Sequence, residues 1–140
     1  MIETVQNAII GQIETIDGLK TVGEWQGDIE DLLKMPQRLP AMHVIYQGAD
    51  FEEKKTIGGD QAANTMDFLI VLVGKNQKSR AAGAVSCFTL IESARDVLIG
   101  LKIPDCGYLW PVREDLILAA GGTLAYGLIY RLCDALWAEE

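Results

Sequence analysis

The 140-residue chain is 49% hydrophobic and 23% charged, a balance unlike that of disordered segments, which lack the apolar residues to build a core. Its formal net charge of −8 argues against a nucleic-acid-binding face, because such faces neutralise phosphates with Lys and Arg. A single domain spanning 1–140 is the expectation, and at this length it buries roughly 70% of its unfolded surface without a metal or disulfide staple.

Ile2, Val5, Ile9, Ile13 and Ile16 recur at intervals of three and four, which predicts a helix with one apolar stripe ending by Gly18. Glu3, Gln6, Asn7 and Gln12 interrupt this segment, so it does not read as a secretion signal. Thr21–Trp25 reads as a short strand. Asp28 stands where it would cap a short helix running through Leu33, which Met35–Pro36 and Leu39–Pro40 close off, because a residue before proline avoids the helical region. Ala41–Gly48 reads as a strand, with His43, Ile45 and Gln47 on one face and Met42, Val44 and Tyr46 on the other. Ala49–Gln61, charged and containing Gly58–Gly59, reads as a loop or as a hairpin arm with one wet face. Thr65–Val73 is the clearest strand, and its later half is apolar on both faces, which predicts cover on each side.

From Ser79 to Leu101 the period changes to that of a long helix, with Ser79 a candidate cap and either Cys87 or Phe88 on the buried stripe. Val112–Ala120 and Leu124–Leu136 flank Gly121–Gly122–Thr123 and read as a terminal hairpin. A helix over Ala125–Trp137 is the competing reading. No apolar run reaches the ~18 residues of a membrane span, and a soluble protein is expected. Together these elements predict an α+β fold, a mostly antiparallel sheet covered on one face by the N-terminal and the long central helix.

Chemical motifs are sparse. His43 is the one histidine and has no positioned nucleophile in sequence, so a structural or hydrogen-bonding role is expected. Cys87, Cys106 and Cys133 form no CxxC pair and read as reduced thiols of a cytosol. Cys106, beside Gly107, is the most exposed candidate nucleophile. Neither Asp28–Glu30–Asp31 nor Asp50–Glu52–Glu53 follows a calcium-loop pattern, and no glycine cluster opens a nucleotide-binding loop. No metal and no cofactor is therefore expected. Trp25, Trp110 and Trp137 fall near element ends or loops, where a bulky ring meets a partner as readily as its own core.

The order of the Ile2–Ile16 helix, Leu32–Pro40 leading into Met42–Tyr46, Asp67–Val73, the helix after Arg80, and a Leu109–Trp110–Pro111–Val112 turn resembles the tail terminator family of Mu-like phages and prophages. The resemblance spans nearly the full chain but carries no sharp motif. It implies a non-catalytic tail-assembly protein, made in the host cytoplasm, that forms a hexameric ring with copies of itself at the head-proximal end of the tail. There it binds the tail tube protein, stops tube and sheath growth, and offers a surface to head-connector proteins, while DNA passes through without specific binding. Under that resemblance Asp28, Glu30, Asp31, Asp50, Glu52, Glu53, Lys54 and Lys55 are candidate lumen or assembly contacts, and Trp25, Trp110 and Trp137 candidate interface anchors. Gln47–Gln61 is the candidate segment for contact with the tube or a neighbour. Three alternatives stay open: another tail or neck completion protein, a thiol-dependent enzyme using Cys106, and an acidic module that binds a basic host protein.

Overall fold

The computed structural model describes residues 1–51, 62–75 and 80–137. In chain order the elements are α1 (Ile2–Ile13), β1 (Thr21–Glu24), α2 (Ile29–Lys34), β2 (Ala41–Phe51), β3 (Ala62–Lys75), α3 (Arg80–Leu98), β4 (Lys102–Ile103), β5 (Gly107–Ala120) and β6 (Thr123–Trp137). The strands form one sheet in the order β1-β2-β3-β6-β5-β4. Every pairing is antiparallel except β1 with β2. Parallel neighbours need a crossover rather than a tight turn, and α2 with the proline-bearing segment after it supplies one.

Helix α1 buries Val5, Ile9 and Ile13 completely, the stripe its spacing predicts. It stops three residues before Ile16: the amides of Thr15 and Ile16 bond to the carbonyls of Gln12 and Ile13, tightening the last turn. Ile16 still packs in the core. Helix α3 turns Cys87, Leu90, Ile91, Ala94 and Leu98 inward and leaves Phe88 49% exposed, so the stripe runs through Cys87. The candidate cap Ser79 lies outside the described residues. Gly100, at φ 77°, takes the left-handed conformation that ends a helix, and its amide bonds to the Leu109 carbonyl.

The two faces of β3 belong to different cores. Phe68, Ile70 and Leu72 join the main core beneath α1 and α3, as the expected α+β arrangement requires. Leu69, Val71 and Val73 join a smaller one with Leu32 of α2. The helices are thus not all on one face. The two long ones share a face, and α2 covers part of the other, which accounts for the two-sided apolar pattern of β3.

Several boundaries differ from the sequence reading, among them the start of β3 at Ala62 rather than Thr65 and the end of α3 at Leu98 rather than Leu101. Strand β2 continues past Gly48 to Phe51, with a register shift at Gln47 that lets it bend and remain paired. Strand β5 starts at Gly107, so Leu109–Trp110–Pro111–Val112 is strand rather than turn. Leu109 is fully buried and holds this stretch down, while proline is tolerated at a sheet edge. Strand β4 has only two residues, too few for a period. The terminal hairpin forms as expected. Gly121 and Gly122 take φ 60° and 80°, the two positive values that a two-residue hairpin turn of matching twist requires.

Candidate interaction surface

The sheet's register determines which side chains share a surface. Across the half of the sheet left open by α2, Trp110 lies opposite Arg131 and Arg131 opposite Asp67, while Arg113 lies opposite Ile129. Arg131 Nε donates to Asp67 Oδ1 at 2.9 Å, and Arg113 Nε donates to Asp115 Oδ2 at 2.5 Å. The Asp67 carboxylate raises the Arg131 pKa by accepting this bond, with a smaller contribution from the charge of Asp50. Trp110 is 52% exposed beside these pairs, and Val112, Leu116 and Ile117 are also exposed along β5.

Beyond Leu109, no described strand pairs with the outer edge of β5. Such an edge invites indiscriminate strand addition unless it is blunted. Here Pro111, the charged run Arg113–Glu114–Asp115 and two register shifts, at Val112 and Ile117, blunt it. What β5 offers is therefore its side chains more than its backbone. Arg95 of α3 grips Glu114 through two hydrogen bonds, one of them Nε to Oε2 at 2.9 Å. Close by, the Tyr130 hydroxyl is buried without a partner, and burial followed by the Glu114 charge pushes its pKa up to about 12.

A second apolar surface lies at the opposite flank. Met1 and Ile2 at the start of α1, with Tyr46, Ala49 and Phe51 of β2 and Met66 of β3, line a groove of about 430 Å³ rimmed by Glu3. Ile2 is 41% exposed and Phe51 64%. A more polar hollow adjoins it along Glu3, Gln6, Glu24 and Trp25, where the buried Gln6 amide donates to the Glu24 carboxylate.

The sequence candidates separate on this frame. Asp28, Glu30 and Asp31 cluster at the start of α2 and are exposed, where negative charge opposes the helix dipole favourably. Asp28 occupies the cap position but makes no side-chain cap bond. Asp50 sits at the end of β2, away from that cluster in sequence and on the strand facing β3. Glu52, Glu53, Lys54 and Lys55 lie outside the described residues, as does most of the Gln47–Gln61 segment.

Of the three tryptophans, Trp25 serves its own core. It packs with the smaller cluster, donates from Nε1 to the Asp28 carbonyl at 3.1 Å and meets the His43 ring edge-on at 6.5 Å. Trp137 pairs with Ala62 through its backbone, and its side chain lies outside the described residues. Among the described tryptophan side chains, Trp110 is the exposed one. Periodicity had no means of separating Val112, Leu116 and Ile117 from core residues, because an apolar strand reads the same at an edge as in the middle.

The chemical candidates resolve in the same way. Cys106 is buried, which corrects its reading as the most exposed thiol, and burial pushes the Cys87 thiol up. His43 is buried with Nε2 2.6 Å from Gln37 Oε1 and Nδ1 unpartnered. Burial lowers its pKa. Among the described residues, no group of three or more His, Cys, Asp or Glu could hold a metal.

These features define an α+β domain whose distinctive surfaces are an apolar groove beside the start of α1 and a strand, β5, with several exposed apolar side chains. The chain belongs to the Gp37 protein family, whose model matches residues 28–132. Its fold is similar to that of a chain in the virion of a native gene transfer agent particle, with a TM-score of 0.60 at 18% identity over 94% of each chain. No curated protein matches it.

Proposed function

We propose that the protein is a structural, non-catalytic component of a phage-type tail that caps the completed tube as a sixfold ring, stops tube and sheath growth and offers a head-joining surface. The observation that carries this reading is the end-to-end likeness of its fold to a virion chain, with almost nothing added or missing on either side. Membership in the Gp37 family supports it, and β5 carries exposed apolar side chains that a neighbouring subunit would cover in such an assembly. In such a ring the exposed acids Asp28, Glu30, Asp31 and Asp50 would keep a bore negative, repelling DNA from the wall rather than holding it. The partners are further copies of the chain, the tube protein, and sheath or head-connector proteins.

The test is to add purified protein to growing tail tubes and image the products by electron microscopy. Tubes of arrested length with six copies at one tip are expected. Tubes that grow on without bound protein would sink the reading, and binding at the other tip or to the neck alone would transfer it to a different tail or neck completion role.

A further inference from the structure

Helix α2 is six residues long, with Leu32 its one fully buried side chain, and a helix that short does not persist in water unless packing holds it. At its start, Trp25 Nε1 donates to the Asp28 carbonyl at 3.1 Å. Toward its end, Gln37 Nε2 donates to the Leu32 carbonyl at 3.2 Å. The oxygen of that same amide lies 2.6 Å from His43 Nε2. A run of contacts thus leads from β2, through one histidine and one glutamine, to the last turn of α2.

The amide fixes where the ring carries its hydrogen. Gln37 spends its nitrogen on Leu32 and turns its oxygen to His43, so Nε2 is the donor and Nδ1 the bare nitrogen. Nδ1 is buried without a partner among the described residues. A second proton there would place a charge and an unmet donor between the Trp25 ring and the strand bearing Val71, and both are costly in an apolar site. No neighbouring charge offsets this. Lys20 and Glu24 beside and on β1 are exposed, as are Asp28, Glu30, Asp31 and Lys34 around α2, Arg38 of the crossover and Lys75 of β3. Glu24 is taken by Gln6, and Asp67 of β3 by Arg131. Burial, and none of these charges, lowers the His43 pKa.

We propose that His43 is an acid-sensitive latch: its neutral ring holds Gln37, Gln37 holds the end of α2, and proton uptake by the ring releases the Asp28–Leu39 segment while the main core stays closed. The latch does not depend on the ring reading above. Opening lets water reach Nδ1 and uncovers Leu69, Val71 and Val73, the face of β3 that α2 covers. The main core lies on the other face and shares no buried residue with this one, which is the condition for one unit to open without the other.

The experiment follows hydrogen exchange by NMR from pH 7.5 to pH 5 on the full chain, corrected for the intrinsic effect of pH on exchange. The Leu32 and Met35 amides, bonded to Asp28 and Leu32, are expected to lose protection by up to about tenfold per pH unit below 6.5. The amides of Ile9 in α1 and Ile70 in β3 keep theirs, and in His43→Gln the α2 profile is flat. Protection in α2 that does not change with pH, that falls together with α1 and β3, or that falls equally in His43→Gln would each overturn the latch. Should His43→Gln not fold, the ring signals of the one histidine in the unmodified chain decide. They must show the hydrogen on Nε2 at neutral pH and titrate over the same range in which α2 opens; a hydrogen on Nδ1, or titration outside that range, overturns the proposal.

Discussion

Strands β3 and β5 have the same length, 14 residues, and neighbour the same strand, yet they meet opposite environments. From Phe68 to Val73, β3 is buried on both faces. Strand β5 presents Trp110, Val112, Leu116 and Ile117 to solvent behind an edge blunted by proline, charge and bulges. One strand holds the fold together, and the other leaves large apolar side chains in solvent. A strand's apolar content thus says little about its job until its neighbours are known.

The sharpest way to break that contrast is to truncate an aromatic ring in each region. Phe68→Ala removes a fully buried ring and is expected to cost about 3–5 kcal/mol, read as a lowered urea midpoint. Trp110→Ala is expected to cost no more than about 1 kcal/mol, while abolishing end-capping of tail tubes. Equal losses of stability at both positions would erase the distinction.

Two glycines probe the same difference at smaller scale. A methyl group on Gly74 would lie 2.8 Å from Cys87 Sγ, too close unless the buried thiol shifts, so Gly74→Ala is expected to lower stability by about 1–3 kcal/mol. A methyl on Gly127 would meet Ile117 Cδ1 at 3.0 Å and Leu69 Cδ1 at 3.2 Å. Ile117 is 39% exposed and can swing outward, so thermal melts should show Gly127→Ala to be the milder of the two.

His43 tests the smaller core under α2. Burial lowers its native pKa below the ordinary value of 6.5, so the unfolded chain takes up the proton more readily than the folded one. The stabilisation is complete above about pH 6.5 and is progressively lost as pH falls below it toward the lowered native value. His43→Gln should remove this part of the acid sensitivity, seen as a shallower fall in denaturation midpoint between pH 7 and pH 5 than in the unmodified chain. Identical slopes would show that the imidazole is not desolvated by α2 and Trp25.

Much of the fold was legible because periodicity reports burial directly. The α1 stripe, the two-sided β3 and the Gly121–Gly122 hairpin were each visible in a few residues. The boundaries that moved were those where tertiary contact overrides local chemistry: β2 continues through a bulge, and the buried Leu109 draws the proline-containing start of β5 into the sheet. Which apolar side chains stay exposed was far less legible. Of Trp25, Trp110 and Trp137, only the tertiary structure separates an internal ring bonded to the Asp28 carbonyl from an exposed one on β5.

By itself the sequence determined the acidic balance, the absence of nucleotide and calcium motifs, and the alternation of helix and strand, all properties carried by composition and spacing. The tertiary structure decided that α2 crosses to the second face, that Cys106 is shielded, and that apolar side chains of β5 stay exposed. Those are relations between residues far apart in the chain. Spacing along a strand shows that a side chain points to a face, but only the packing of other elements shows whether that face is already covered.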